Sequence, residues 1–373
     1  MNMRERILSV FEGEKPDCVP CIFDLSHWYY HHYKLPWDLT MSYNEPDKGL
    51  IETHRRFGVG FYVPILSVGW KVEYSSDVNC VVWKEDYNGS PSIVWQYETP
   101  YGKIRRQRVW EERSYSWPIV DWGIKNCEDL KILQYALSQR KFLPEFESYN
   151  KWKNEIGDNG VVYISAGYSA IGTLLNAWMG VEKTIYASYD MEQQLKEFVE
   201  TVNENNLKLV DLLCESPAEI IMMGDNFSSD IQSPSFFEKW SKKYYCEAVK
   251  RLHDAGKKVA VHIDGKLKGA LKMIMETGAD CGDALTPTPG GDLTPDQCRE
   301  EAGENFILSG GVAPLLWLPE TDIKKFEKAI VDWIETKNRS FRLMAAAGDQ
   351  VPPGADEKRI ILMRNVVEEC GKF

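Results

Sequence analysis

From residue 161 onward the chain alternates between short apolar runs and longer stretches in which apolar residues recur with helical spacing. The apolar runs predict six strands: VVYISA (161–166), EIIMMGD (219–225), KVAVHID (258–264), DCGDAL (280–285), FILSGGV (306–312) and SFRLMAAAGD (340–349). A helical pattern follows each run, and the last one extends from Ala355 toward the C-terminus. Strands that alternate with helices pair in parallel, so this part of the chain predicts an α/β fold.

Two strands predicted near the N-terminus raise the number to eight. The segment RERILSVFE predicts a short amphipathic helix, a first strand ends near Phe23 and Asp24, and FGVGFYVPIL (57–66) predicts the second. Eight such units in 373 residues predict one closed (β/α)8 TIM barrel that spans residues 1–373. A doubly wound open sheet is the competing architecture, but no GxGxxG motif opens any predicted helix.

Residues 70–122 have a different pattern, in which apolar and polar residues alternate. The alternation is interrupted by Asn-Gly and Tyr-Gly, which are typical of tight turns between antiparallel strands. We therefore expect an inserted β-hairpin region within the barrel domain, and a lid over the barrel is one role for it.

The composition excludes several classes of protein. The net charge is −12 and no basic block is present, so a nucleic-acid partner is not expected. No run approaches the roughly 18 apolar residues of a membrane span, and the first residues lack a signal-peptide core, so we expect no membrane association and a cytoplasmic location. Nine scattered cysteines, an odd number, do not indicate a disulfide framework.

Most of the predicted strands end in a polar residue. Active sites of such barrels lie at the carboxyl ends of the strands. The strand-end residues are Asp24, Asp225, His262, Asp264, Asp283, Gly310, Gly311 and Asp349. Carboxylates that converge repel one another unless a cation or protons neutralise them, so this ring of acids predicts a functional centre.

His262, Asp264 and Asp349 are the candidate metal ligands. Positions 262 and 264 lie on the same side of a strand, and Asp349 adds a carboxylate from the last strand. One nitrogen and two oxygens suit a divalent metal such as zinc and leave a position open for catalysis. The alternative is a turn in which the imidazole and a carboxylate bond only to each other or to backbone.

The other strand-end residues have two interpretations each. Asp24, Asp225 and Asp283 are candidate catalytic acids, although Asp225 suits a helix N-cap equally well and Asp283 precedes a turn-rich segment. Gly310 and Gly311 in SGGV are candidates for binding an anionic part of the substrate, and a tight turn is the alternative.

The loop after the first strand, DLSHWYYHHYKLPWDLTMSY, is dense in aromatic residues and histidines. His27, Trp28, Tyr29 and Tyr30 could line a pocket for an aromatic ring or a quaternary ammonium group. The alternative is that these rings only pack the mouth of the barrel.

Several segments resemble, in their order along nearly the whole chain, the uroporphyrinogen decarboxylase superfamily. They are RERILSVFEGEKPDCVP, TPYGKIRRQ, IKNCEDLKIL, MGDNFSSDIQSPSFFEKW, HIDG, GGV and GDQVPPGADEKRIILMRNVVEECG. The resemblance implies the same barrel. Uroporphyrinogen decarboxylases carry an arginine-rich segment after the first strand, whereas this chain has FDLSHWYY there, so the resemblance favours the other branch, the corrinoid-dependent methyltransferases.

In the thiol-methylating members of that branch, zinc is held by His-x-Cys on one strand and by a cysteine on the last. The matching positions here are His262 and Asp264 in HID, and Asp349 in GDQVPP, so the histidine is kept and both thiolates are replaced by carboxylates. Carboxylates leave a harder and more Lewis-acidic metal, which suits polarisation of a C–O bond.

The resulting hypothesis is an enzyme that moves a methyl group from a small methylated substrate, such as an aryl methyl ether or a methylamine, to corrinoid cobalt. The chain has no D-x-H-x-x-G cobalamin motif, so the corrinoid (cobalamin) is expected on a separate partner protein. The alternatives are a decarboxylase, a methylcorrinoid:thiol methyltransferase and a non-catalytic quaternary-amine binding protein. The sequence is also compatible with a homo-oligomer.

Overall fold

The structure, a computed structural model, describes residues 1–63 and 68–373. Its strands are β1 (Ile22–Phe23), β2 (Gly60–Phe61), β3 (Gly69–Tyr74), β4 (Asn79–Tyr87), β5 (Ser90–Thr99), β6 (Gly102–Val109), β7 (Ile119–Asp121), β8 (Arg140–Glu145), β9 (Ile164–Ser165), β10 (Ile220–Phe227), β11 (Lys258–Ile263), β12 (Cys281–Leu285), β13 (Ile307–Gly311) and β14 (Leu343–Ala346).

The helices lie mainly between the parallel strands. They are α1 (Met3–Glu12), α2 (Ser26–His32), α3 (Lys48–Phe57), α4 (Cys127–Ser138), α5 (Phe146–Ile156), α6 (Ala170–Thr173), α7 (Val181–Asp190), α8 (Glu192–Cys214), α9 (Pro234–Trp240), α10 (Lys242–Asp254), α11 (Ala270–Met275), α12 (Pro295–Ala302), α13 (Ile323–Glu335) and α14 (Glu357–Cys370). In the described ranges, none of these helices combines the length and apolar character that crossing a bilayer requires.

The predicted α/β fold with a parallel sheet is confirmed. Strands β9 to β14 pair in chain order into one parallel sheet, and β1 pairs in parallel with β2. Isolated parallel bridges join Cys21, just before β1, to Ala345 in β14, and Phe61 in β2 to Gly160, before β9. Apart from β10, which extends to Phe227, the strands of the six-stranded sheet are shorter than the apolar runs predicted. The end of the predicted run 57–66, residues 64–66, lies outside the described residues.

One cluster of buried side chains collects residues from all of these parallel strands or from the residues beside them. Its members are Ile7, Val10, Phe11, Ile22, Tyr62, Val161, Tyr163, Ile220, Met222, Ala260, Cys281, Ile307, Met344 and Ala346. Helix α1 supplies the first three of them, whose i, i+3, i+4 spacing puts them on one face of the helix. The helix starts with a capping box formed by Asn2 and Glu5 and ends at Gly13, whose φ is 85°.

The hairpins predicted within residues 70–122 are present. Strands β4, β5, β6 and β7 form an antiparallel sheet, and the β4–β5 turn consists of Asn88 and Gly89, which have φ of 53° and 86°. Positive φ at both turn residues matches the twist of the flanking strands. Strand β3 pairs instead with β8, which the hydrophobic pattern did not predict. The role of this region as a lid stays a prediction.

Glycines in β13 allow two backbones to approach closely. A Cβ at Gly310, whose φ is 152°, would overlap the backbone oxygen and nitrogen of Leu285 in β12, and one at Gly311 would lie 2.7 Å from the indole of Trp333. Close packing therefore explains why glycine occupies both positions, and their predicted role in substrate binding stays a prediction.

We predict that Gly310→Ala lowers the free energy of unfolding by about 2–4 kcal/mol, because the methyl group can be accommodated only by separating β12 from β13. Gly224→Ala in β10 is the matched control, since a Cβ there has no other atom within 4 Å. Urea denaturation of the two variants measures the difference. Equal stability of both variants would contradict the packing described here.

Candidate active site

His262 and Asp283 form a buried pair at the carboxyl ends of neighbouring strands. The register of β11 and β12 places the two residues directly beside each other, and the Nδ1 of His262 lies 2.9 Å from the Oδ2 of Asp283. The side chain of His262 is 11% exposed and that of Asp283 is 1% exposed. The imidazole thus bonds to Asp283, not to the Asp264 that lies two positions away in the sequence.

The charges around His262 change its protonation. Burial alone would lower the pKa of His262, but the hydrogen bond and negative charge of Asp283, with Asp349 and Asp264 nearby, raise that pKa to about 9. In the metal-free protein the imidazole of His262 is therefore protonated at neutral pH.

Asp283 is held from two further directions. The hydroxyl of Tyr62, which follows β2, donates to Oδ2 of Asp283, and the hydroxyl of Ser309 in β13 lies 3.4 Å from Oδ1. A buried carboxylate is stable only when its lone pairs are satisfied. Here the donors come from β11, from β13 and from the residue that follows β2. The orientation of Asp283, and through it that of His262, is therefore fixed.

The strands bend where two of the acidic residues lie. The pairing of β10 shifts register between Met223 and Phe227, and that of β12 shifts between Gly282 and Leu285. Within these irregular segments, Asn226 has a φ of 50° and Ala284 a φ of 60°, directly after Asp225 and Asp283. Non-glycine residues rarely adopt positive φ, and such strain concentrates at functional sites.

Asp264 and Asp349 are the acids that the surrounding residues leave unpaired. Asp264 is exposed just beyond β11, Asp349 is partly buried in the loop after β14, and neither forms a salt bridge in the described part of the chain. Burial raises the pKa of Asp349 to about 7, and the charges of Asp264 and Asp24 raise it against the opposing effect of His262. Asp349 and Asp264 therefore lie in one electrostatic environment with His262.

Asp24 anchors the loop that carries Asp349. Its side chain accepts hydrogen bonds from the backbone N–H of Ser26 at 2.8 Å and from Nε2 of Gln350 at 3.2 Å, and its carbonyl accepts from the N–H of Val351 at 3.0 Å. Burial raises the pKa of Asp24. The structure gives this residue a positioning contact, and its predicted catalytic role stays a prediction.

Asp225 holds the start of α6. It accepts a hydrogen bond of 2.7 Å from the N–H of Ser169, the N-cap of α6, and a second from the hydroxyl of Ser169. Burial raises the pKa of Asp225 to about 6. Gly172 leaves room for it, since a Cβ there would overlap the carboxylate. The carboxylate thus braces the N-terminus of another helix, and its catalytic role also stays a prediction.

The aromatic residues after β1 are packed against neighbouring segments. Trp28 is 1% exposed and donates to the carbonyl of Ala355 at 2.9 Å, and Tyr30 donates to Asp47 at 2.9 Å. Tyr29 is buried, and Nε2 of His27 lies 3.0 Å from the carbonyl of Ser114. These residues lie in α2 rather than in a loop, and their contacts agree with packing of that helix. The predicted substrate contacts of His27, Trp28, Tyr29 and Tyr30 stay predictions. A cavity of about 1010 Å³ between α8, α9 and α10 contains none of the predicted site residues.

The residues around His262 partly fit a divalent metal. Asp283 accepts a hydrogen bond from Nδ1 of His262, so Nε2 is the nitrogen left to bind a metal. This arrangement is typical of metal-binding histidines. The unpaired carboxylates of Asp264 and Asp349 supply oxygen donors. As the side chains stand, however, no group of three or more His, Cys, Asp or Glu in residues 1–63 and 68–373 is arranged to hold a metal ion. Coordination would require the two aspartate side chains to move toward Nε2.

Sequence reasoning did not find the tyrosines near Asp283. Tyr62 and Tyr163 are both buried, with ring centroids 5.5 Å apart, but the hydroxyl of Tyr163 has no hydrogen-bond partner among the described residues. A tyrosine in an apolar run gives no sign of which residue its hydroxyl will reach, because that depends on strand register.

We predict that Tyr62→Phe lowers the free energy of unfolding by about 1–3 kcal/mol, because it leaves the buried carboxylate of Asp283 short of a donor. Tyr163→Phe removes an unsatisfied hydroxyl from the same cluster and is expected to be neutral or stabilising. Thermal and urea unfolding of both variants measures this. A larger loss in Tyr163→Phe than in Tyr62→Phe would show that Tyr62 does not support Asp283.

Comparison with solved structures shows a likeness over the whole fold. A methyltransferase from Methanosarcina mazei has a TM-score of 0.61 and 15% identity, with 99% of each chain covered. Two others are more distant: D-psicose 3-epimerase from Clostridium cellulolyticum H10 (TM-score 0.36, 12% identity, 60% of this chain and 82% of that chain) and muconate cycloisomerase from Pseudomonas fluorescens (TM-score 0.28, 10% identity, 82% and 78%).

At the level of sequence, no curated protein matches. A family profile described as Uroporphyrinogen decarboxylase (URO-D) does match, over residues 110–370. This range includes β10 to β14 and with them His262, Asp264, Asp283 and Asp349. The chain belongs to the uroporphyrinogen decarboxylase family.

Proposed function

We propose that this protein is a methyltransferase that transfers a methyl group from a small methylated substrate to the cobalt of a separate corrinoid protein. An aryl methyl ether or a methylamine is the proposed donor. The observation that carries the proposal is the His262–Asp283 pair beside the unpaired carboxylates of Asp264 and Asp349. The fold likeness to the Methanosarcina mazei methyltransferase supports it.

We also propose that the parallel strands close into a (β/α)8 barrel. The bridges Cys21–Ala345 and Phe61–Gly160 support closure, because they connect the β1–β2 pair to both edges of the six-stranded sheet. The single cluster of buried side chains drawn from these strands supports it as well. In a closed barrel, the adjacent residues His262 and Asp283 lie at the same open end as Asp349.

His262, Asp264 and Asp349 are the proposed ligands of a divalent metal, zinc by preference. When bound, such a metal supplies a Lewis acid that stabilises charge on the atom to which the methyl group was attached. Asp283 fixes the tautomer and direction of His262, and Asp24 together with Gln350 holds the loop of Asp349. In the transfer, the bond from the substrate oxygen or nitrogen to the methyl carbon would break and leave its electron pair on that atom, while the electron pair of the reduced corrinoid cobalt would form the new bond to the methyl carbon.

Decarboxylation is the second candidate. It is favoured by the family and by the carboxyl group of Asp24, because burial raises its pKa as a general acid requires. The two functions separate in an assay, since one releases carbon dioxide and the other consumes cob(I)alamin. Thiol methylation is disfavoured because carboxylates occupy both positions that carry thiolates in the enzymes with that activity.

We predict that His262→Ala lowers zinc affinity at least a hundredfold and abolishes methyl transfer to cob(I)alamin. The matched control is His253→Ala in α10, which removes an equivalent bond to Asp280, of 2.8 Å, at an exposed site. Asp283→Asn is expected to weaken zinc binding about 10- to 100-fold, because the imidazole loses the group that orients it.

Elemental analysis measures bound zinc in each purified variant, and the absorbance of cob(I)alamin reports the transfer. Equal zinc content in wild type and His262→Ala would remove the metal from the proposal. Methyl transfer at the wild-type rate by His262→Ala would refute the role of the site itself.

A further inference from the structure

Two arginines on β6 face the same side of the antiparallel sheet. Arg106 and Arg108 are two positions apart, so their side chains lie on the same face as the buried Ile104. Ile104 belongs to a second cluster of buried residues that includes Leu174 and Trp178, and Trp95 packs against this cluster. Both guanidinium groups are therefore directed toward the body of the protein, whereas Arg105 is exposed on the opposite face.

Aromatic rings enclose the guanidinium group of Arg106. Its Cζ atom lies 4.6 Å from the ring of Trp95 and 5.2 Å from that of Trp178. Of its nitrogens, Nη1 donates to the carbonyl of Ala177 at 3.3 Å, and Nε is buried with no partner among the described residues. The group is held in place by stacking, and within residues 1–63 and 68–373 most of its five N–H donors have no acceptor.

Arg108 is similarly short of partners. Its Nη1 donates to the carbonyl of Trp117 at 2.9 Å. Neither Arg106 nor Arg108 forms a salt bridge with an acidic side chain in residues 1–63 and 68–373, and the remaining residues, Pro-Ile-Leu-Ser, contain no acid. The chain has 56 acidic residues against 44 basic ones, so the missing counter-ion does not reflect a shortage of acids.

The arginine pair lies next to the carboxyl end of the parallel sheet. Tyr168, in the loop after β9, interacts electrostatically with both guanidinium groups and with Asp225. A π-helical segment, Leu174–Trp178, connects the two regions further, since Asn176 donates to the carbonyl of Asp225 at 2.9 Å. Such π-helical turns occur frequently at functional sites.

Two desolvated cations without a counter-ion are unfavourable for the free protein. Burial and the charge of Arg108 together lower the pKa of Arg106 to about 10, and no carboxylate opposes this effect. Both groups nevertheless remain charged at neutral pH, so an arriving anion would relieve the repulsion. The planar fork of arginine matches the two oxygens of a carboxylate, and the partly exposed indole of Trp95 offers flat apolar surface beside it.

We propose that Arg106 and Arg108 bind the carboxylate of an organic substrate whose apolar part lies against Trp95. The inference deepens the proposed function, because it assigns an anionic group to the methylated substrate, and it rests on that function for the identity of the reaction. Binding needs neither metal nor corrinoid, so the two proposals can fail separately.

The test uses the full chain with benzoate as the probe and benzamide as its neutral counterpart. Calorimetric titration is expected to show binding of benzoate and not of benzamide. Arg106→Gln and Arg108→Gln are each expected to weaken benzoate binding at least tenfold, and Arg105→Gln, on the opposite face, is expected to leave it unchanged. Benzoate is also expected to raise the melting temperature of wild type and of Arg105→Gln only.

The stability of the variants distinguishes a ligand site from a structural one. Removal of an uncompensated charge is expected to leave the melting temperature of ligand-free Arg108→Gln unchanged or higher. Benzoate affinity that is equal in wild type and both inner variants, or absent in wild type, would overturn the proposal. Inorganic phosphate that displaces benzoate at equal concentration would overturn the assignment to a carboxylate.

Discussion

The arrangement of the site depends on one buried ion pair, His262 with Asp283, at the carboxyl ends of adjacent parallel strands. Removing two charges from water is unfavourable unless their geometry is good and every remaining lone pair is satisfied. Register places the two side chains together, and donors from Tyr62 and Ser309 complete the bonding of Asp283. The irregular backbone of β12 at Ala284 follows this carboxylate directly and accommodates its position.

The acids at the strand ends fall into two groups with different roles. Asp24, Asp225 and Asp283 are fully buried and accept hydrogen bonds that fix a loop, a helix and an imidazole, respectively. Asp264 and Asp349 form no salt bridge in the described ranges, and their negative charges act on the imidazole. This division explains how several carboxylates can lie near one another: three act as structural acceptors, and two remain available for a cation or for protons.

The order of the strands and their parallel pairing were predictable because they depend on periodicity along the chain. The strand ends were less predictable. The run predicted for 340–349 forms a strand only over 343–346, and the φ of 83° at Gly348 interrupts the extended backbone at its C-terminal end. The acidic residues of the site were recognisable from their positions. The partner of His262 was not, since spacing in sequence favours Asp264 whereas register across strands selects Asp283. The sequence also did not reveal the surroundings of Arg106 and Arg108 in β6, because these depend on contacts between segments that are distant in sequence.

The proposed site holds a metal on Nε2 of His262, with oxygen ligands from Asp264 and Asp349. X-ray absorption at the zinc edge of the zinc-reconstituted protein identifies the ligand atoms. We expect a shell of nitrogen and oxygen neighbours at ~2.0–2.2 Å, with an imidazole signature and no sulfur scatterer. A sulfur neighbour at ~2.3 Å, or a spectrum that is unchanged when His262 is replaced, would contradict it.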